Sequence, residues 1–340
     1  MSDVLVVPGG LIGERDWEEL GPARPPELIT RRLTRARRQV QAMHAPWSDG
    51  AAHLEWLARA FGAPGDPPVT APFAWRAAIE QAATDTSVAG VWFCEPVHLS
   101  LQPERTVLAP IAAPALTEPE SRELLGEAAD SAHAFGANLR LAAGRWYLFT
   151  DQVWDLRTTP LEAALGASIE TRLPQGAHAS QWRRLFNEVQ MRWHASPVNR
   201  AREARGEQTA NALWLHGGGS WRPLDRSRFA RVQADDPVLR GWQQAARHDG
   251  RASGPGSLTL WPDLFEPYWR RDWRSWLAAW TQLESRIESL FDDKQAASVR
   301  TLQMLACGRR AAVSFTLNRR GPLLPWRRGA LRDCLTEPAP

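Results

Sequence analysis

Asn187-Glu-Val-Gln-Met-Arg-Trp-His194-Ala-Ser-Pro-Val-Asn199-Arg-Ala-Arg202-Glu-Ala-Arg-Gly-Glu-Gln-Thr-Ala-Asn211-Ala-Leu-Trp-Leu-His-Gly217-Gly-Gly219 is the stretch on which the fold turns. It opens inside a helix that Ser196-Pro197 breaks, because proline clashes with a helical residue before it. A short helical turn carrying Asn199 and Arg202 follows, and Gly206 closes it. Asn211 then opens an apolar strand that runs to Leu215, followed by the glycines Gly217 to Gly219. Taken with the strands and helices that alternate along the rest of the chain, this passage suggests an α/β protein.

The preceding helix spans Ser180 to Trp193, with Trp182, Leu185, Phe186, Val189 and Trp193 on its apolar side. Further upstream, Thr117-Glu-Pro-Glu is a capping pattern and predicts a helix to Phe135. Asn138 to Thr150 alternates about Gly144 and predicts a β-hairpin. Val88 to Pro110 reads as strand, with Thr106 to Leu108 a second one and Pro96 marking an edge or bulge. At the start, Val4 to Val7 is a buried strand ending in Pro8-Gly9-Gly10. Glu27 to Met43 reads as one helix with an arginine-rich surface, and His53 to Phe61 as another.

Downstream, Phe229 to Val232 and Ser257 to Trp261 read as strands around a helix at Pro237 to Ala246. Trp269, Trp273, Trp276 and Trp280, continued by Leu283, Ile287 and Leu290, predict one long helix with a wide apolar face. That face fits core packing or a homodimer or other protein partner. Val299 to Cys307 and Ala311 to Leu317 form a hairpin about Gly308. The expected architecture is a mixed β-sheet flanked by helices: one large α/β domain over residues 1–340, with an inserted subdomain at about 95–215.

Composition narrows the function classes. The formal net charge is only +3, although Lys294 is the single lysine among 41 basic residues. Such near-balance argues against a nucleic-acid partner. Cys94, Cys307 and Cys334 are isolated, which argues against a disulfide framework and a cysteine-built zinc site and fits a reducing cytoplasm. No run approaches a membrane span, and Met1 to Pro8 lacks the basic stretch of a signal peptide.

The central stretch offers two readings. Arg202 has a planar donor fork suited to phosphate or carboxylate, Asn199 and Asn211 can each donate and accept, and Gly217 and Gly219 can bring backbone N–H groups to an anion. Glu188, Gln190 and His194, with His98 from Glu95-Pro96-Val97-His98-Leu99, are the remaining candidate ligand-binding residues. Alternatively these polar groups satisfy one another inside the core, as buried polar groups must.

Glu95 to Leu99, Arg145-Trp146-Tyr147, Glu188 to Met191 with His194, Asn199 and Arg202, and Asn211 to Gly219 together resemble the RpfE-type regulatory protein family of proteobacteria, over most of the chain. Members of that family are often labelled phosphoglycerate mutases. The label implies distant kinship with the archaeal type of cofactor-independent phosphoglycerate mutase, of the alkaline-phosphatase-like superfamily. There, an Asn…Arg…Ala-Asn…Gly-x-Gly stretch is similar to Asn199, Arg202, Ala210-Asn211 and Gly217 to Gly219. The resemblance also implies two divalent metals held by Asp and His, with an Asp directly after the first strand. Here Pro8-Gly9-Gly10 stands at that point, and the eight histidines show no HxH or HxxxH spacing. Two metals could not be paired for phosphoryl transfer without such a cluster. The expectation is therefore a regulatory or ligand-binding relative without metal or other cofactor, binding an anionic, phosphorylated small molecule. An active phosphomutase and a protein-interaction scaffold are the alternatives.

Overall fold

The computed structural model describes residues 3–79, 89–109, 114–225, 227–247, 256–292, 301–319 and 330–338. Val88, Pro110, His248 and Val299, and the side chain of Leu290, lie outside what it describes. In chain order the elements are β1 (Asp3–Pro8), α1 (Glu14–Leu20), α2 (Glu27–Arg35), β2 (Arg37–Ala42), α3 (Ala52–Phe61), α4 (Ala71–Ala78), β3 (Gly90–Val97), β4 (Leu99–Gln102), β5 (Arg105–Leu108), α5 (Glu118–Ala134), β6 (Ala137–Ala142) and β7 (Arg145–Thr150). They continue with α6 (Leu161–Ala164), α7 (Ala179–His194), α8 (Pro197–Ala204), β8 (Ala212–Gly219), β9 (Phe229–Gln233), α9 (Pro237–Ala246), β10 (Gly256–Leu260), α10 (Phe265–Arg270), α11 (Trp273–Asp292), β11 (Thr301–Cys307), β12 (Ala311–Asn318) and α12 (Leu331–Leu335). The chain forms two compact units, one of Met1–Phe61, Arg226–Asp235 and Gly250–Pro340, the other of Gly62–Asp225 and Asp236–Asp249.

The first unit is a mixed α/β layer structure. Its six strands run in the order β2-β12-β11-β1-β10-β9. The joins β9–β10, β10–β1 and β1–β11 are parallel; β11–β12 and β12–β2 are antiparallel. β1 is apolar on both faces because both are covered, as parallel strands require. Leu5 and Val7 join a core with residues of α1, α2, α11 and α12, while α3 packs against β1 and β12. Two tryptophans of that core, Trp276 and Trp280, are fully buried. Each takes roughly 200 Å² out of water, a gross gain of about 5 kcal/mol.

Two expectations for this unit are corrected. The helix expected over Glu27 to Met43 stops at Arg35, and Arg37–Ala42 is a strand, the last in the sheet, paired to β12 from Ala311↔Ala42 to Thr316↔Arg37. Nothing local punctuates the change; a ladder to residues some 270 positions away overrides helical composition. The tryptophan row is also not one helix. Arg271, in the left-handed conformation at φ 55°, ends α10, and Asp272 starts α11 by accepting the Ser275 N–H at 3.1 Å. Trp269 therefore belongs to α10, while Trp273, Trp276 and Trp280 belong to α11. Trp276 and Trp280 face the unit's own core, and Trp273 is half-buried.

The second unit carries a four-stranded antiparallel sheet in the order β6-β7-β3-β8, and a β4–β5 hairpin. Helix α5 starts at a full capping box, Thr117 with Glu120. Its Ser121 and Leu124, through side-chain hydroxyl and backbone carbonyl, accept the indole N–H groups of Trp146 (2.8 Å) and Trp193 (3.1 Å). That fixes α5 and α7 to one sheet face. On the other, Trp75 of α4 sits edge-on to Tyr147 and Phe149. β3 pairs with β7 only through Gly90–Phe93, so Pro96 falls where that side of the strand is open and a missing N–H costs no ladder bond.

Candidate functional site

The structure gathers four of the expected site residues into one network in the second unit. Ser196 caps α8 through the Val198 N–H, which turns Asn199 and Arg202 inward. Asn199, 4% exposed, donates to the carbonyls of Trp193 (2.8 Å) and Ala210 (2.7 Å) and accepts the Ala210 N–H (3.1 Å). Asn211 accepts the Leu99 N–H at 2.7 Å and donates to the Leu99 carbonyl at 2.9 Å, extending the sheet by a side chain. His98 Nδ1 lies 2.9 Å from the Thr209 carbonyl oxygen. Asn211 and His98 stitch the approach to β8 onto the residues that follow β3, and Asn199 ties it to the end of α7. Glu188 and His194 are exposed on α7 and Gln190 is half-buried. None of the three takes part in this network.

Arg202, 3% exposed, differs in also lining a cavity. Its Nε donates to the Gln208 carbonyl (2.8 Å) and its Nη1 to Glu120 (2.8 Å) and the Ala115 carbonyl (3.3 Å). Next to it, Arg205 grips Glu207 in two-point fashion, Nε and Nη2 each 2.8 Å from one carboxylate oxygen, and reaches Glu120 at 2.7 Å. Glu207 also lies 3.4 Å from Arg202. Ala115, Thr117, Glu120, Arg202, Arg205, Glu207 and Gln208 line an open cavity of about 710 Å³. Burial would raise the Glu120 carboxyl, but the Thr117 backbone and hydroxyl and the two arginines outweigh it and hold it below the usual range. The Arg205 hydrogen bond does the same for Glu207.

The glycine run is not a loop after the strand, as expected, but the last part of β8 itself. Its reason is steric. A Cβ on Gly217 would fall 1.9 Å from the Thr70 hydroxyl, and one on Gly218 1.7 Å from the Trp92 ring. The Thr70 N–H donates to the Gly217 carbonyl at 2.9 Å, so the bare strand lets the start of α4 lie directly against it. Gly218→Ala is expected to cost about 1–3 kcal/mol in urea unfolding, the usual range for overpacking a filled core. A variant as stable as the parent would count against this packing role.

A second polar group escaped the sequence reading as a unit. Phe93 of β3 stands opposite Tyr147 of β7, so two residues on Glu95 meets Arg145, as facing residues on one sheet side do. Arg145 Nε donates to Glu95 at 2.7 Å, and His216 Nε2 lies 3.0 Å from the other oxygen. The Arg145 guanidinium stacks 3.8 Å above Phe93, whose ring also stacks with His216 at 5.1 Å. Burial alone would raise the Glu95 carboxyl; the Arg145 charge and the His216 hydrogen bond reverse that and hold it far below the ordinary carboxylate range. Burial pushes the Tyr147 phenol up to about 12, and its hydroxyl has no hydrogen-bond partner among the described residues. One signal was readable: Phe93, Glu95 and Val97 share a strand face, so a charge interrupts an apolar row.

The turn after β1 is packed. Gly9 has φ 72°, and a Cβ there would lie 2.7 Å from the Leu264 carbonyl oxygen. The Gly9 carbonyl accepts the Trp276 indole N–H at 2.8 Å. A metal-binding aspartate does not fit at this position. Among the described residues, no three His, Cys, Asp or Glu side chains are grouped to hold a metal ion. Cys94, Cys307 and Cys334 are buried thiols. Among the described residues no helix is long and apolar enough to cross a membrane.

The chain is thus a mixed α/β protein with a buried polar network and an arginine-lined cavity. No protein-family model matches it, and no curated protein does. Among solved structures it is similar to the PH0037 protein from Pyrococcus horikoshii, with 12% identity and a TM-score of 0.49 over 98% of this chain and 91% of that one. It is also similar to the cofactor-independent phosphoglycerate mutase from Thermoplasma acidophilum, with 15% identity and a TM-score of 0.36 over 93% and 89% of the two chains.

Proposed function

We propose that this chain is a non-catalytic regulatory protein of phosphoglycerate-mutase-like descent that binds an anionic, phosphorylated small molecule between Arg202 and Arg205. The observation that carries the reading is the open cavity of about 710 Å³ lined by both arginines, Arg205 exposed and Arg202 buried at its wall. Arginine forks match phosphate oxygens two at a time, which gives both strength and orientation. Arg202 is fixed by two backbone carbonyls and Glu120, so it is pre-organised, and little ordering is needed when a ligand arrives. Asn199, Asn211 and His98 support the site from behind by fixing the backbone around Thr209 and Ala210. The non-catalytic half of the reading is supported by the filled turn at Gly9, where the resemblance calls for a metal-binding side chain.

Titration calorimetry and thermal shift with 3-phosphoglycerate and inorganic phosphate, alongside a mutase assay with and without Mn²⁺, test both halves. Saturable binding is expected, weakened about tenfold or more by Arg205→Ala, with no turnover under either condition. Mn²⁺-dependent turnover overturns the non-catalytic half. Binding that is absent, or indifferent to Arg205→Ala, overturns the site.

A further inference from the structure

We infer that the Glu207 carboxylate occupies the ligand's own seat, so that the protein carries a built-in competitor which an incoming phosphomonoester must displace. The inference rests on the anion-binding reading above and adds its regulation.

The two acids at the arginine pair are held differently. Glu120 sits in the first turn of α5 and is locked there by its capping box, accepting the Thr117 N–H at 2.9 Å. Glu207 sits in the link between α8 and β8, directly after Gly206 at φ 71°. Its backbone is fixed, N–H to the Arg202 carbonyl at 2.9 Å, but its side chain is 42% exposed and, among the described residues, engages the two arginines alone. A rotation about the side-chain bonds of Glu207 therefore frees the seat without moving the chain.

Shape and charge both match a phosphate monoester. With two oxygens on Arg205 Nε and Nη2, Glu207 makes the two-point contact that a phosphate makes with the same fork. With Glu207 seated, two guanidinium groups face two carboxylates and the cavity wall is neutral. With it turned out, Arg202, Arg205 and Glu120 leave one positive charge, which an anion then satisfies. The cavity in front holds the remainder of the molecule. Binding is then weak at rest, because each ligand competes with a tethered carboxylate at high effective concentration.

Calorimetry on the full chain with inorganic phosphate and 3-phosphoglycerate, comparing parent, Glu207→Gln and Glu207→Gln/Arg205→Ala, tests this, with acetate as the carboxylate control. Glu207→Gln is expected to bind phosphate at least about tenfold more tightly than the parent, and Arg205→Ala to abolish that gain. Unchanged or weaker binding in Glu207→Gln, with the parent still binding, overturns the competitor and leaves the site standing. Binding by neither protein removes both. Equal gains for acetate and phosphate overturn the phosphomonoester preference. Far-ultraviolet dichroism and melting curves check that the variants are folded; Glu207 is exposed, and the parent fold is expected.

Discussion

Arg145→Met is expected to destabilise the second unit by about 3 kcal/mol at neutral pH, measured by urea unfolding. The guanidinium does three things at once: it donates to Glu95 at 2.7 Å, stacks on Phe93 and offsets the burial of the Glu95 carboxylate. Methionine keeps most of the packing volume and removes the charge. Breaking a buried pair by deleting one partner usually costs about 3–5 kcal/mol, because the other charge is left uncompensated. The lower end applies here, since Arg145 keeps 26% exposure. The pH dependence separates this cause from lost packing. In the parent, Glu95 is depressed, so its contribution is present above the unfolded carboxylate value and is lost only as pH falls through the lower folded value. In Arg145→Met the depression shrinks, and protonating Glu95 removes the buried charge. The gap between the two proteins should therefore narrow as pH falls toward about 4. The double variant Glu95→Gln/Arg145→Met should recover part of the loss. A gap that is constant with pH would falsify the electrostatic account.

Trp276→Ala should lower stability by about 4–5 kcal/mol. Removing a fully buried tryptophan costs roughly 3–5 kcal/mol. The Gly9 carbonyl, which it serves at 2.8 Å, would be left without a partner at a further cost of about 1 kcal/mol or more. Trp273→Ala should cost far less, about 1–2 kcal/mol, because Trp273 is half-buried and its indole meets the exposed Glu19 at 3.2 Å. Light scattering beside unfolding curves distinguishes this from a partner-binding face. A core role predicts loss of folding for Trp276→Ala, with no change of mass in the folded fraction. A stable Trp276→Ala protein whose assembly mass falls would instead place the tryptophans at an interface.

These two cases show what was legible in the sequence. Local chemistry was: the Thr117–Glu120 capping box, the hairpin around Gly144, the burial of Trp182, Leu185, Phe186, Val189 and Trp193 on α7 and the break at Ser196-Pro197 all follow from contacts within a few residues. Asp272 could also have been read as the cap that divides the tryptophan row. Features set by distant pairing were not legible. Arg37–Ala42 becomes a strand because β12 is there to receive it. Glu95, Arg145 and His216 meet only once the register of β3 against β7 and β8 is fixed. For the central stretch, the sequence left an anion site and an internal network equally open. The structure gives Asn199, Asn211 and His98 internal hydrogen bonds, leaves Glu188 and His194 on the surface, and has Arg202 and its neighbour Arg205 line a cavity. Nothing in residue type alone told these apart, since all are polar side chains beside apolar ones.

The arginine-rich β2 has a consequence for how the protein behaves at high concentration. As the outermost strand of its sheet among the described residues, it carries main-chain groups that could template further chains and seed aggregates. Arg37 and Arg38 stand exposed along it, and Arg38 is anchored to the Asp333 carbonyl. Positive charge on this outer strand opposes a second copy that approaches edge to edge. Arg37 and Arg38 thus have a place in the fold that needs no ligand to account for it.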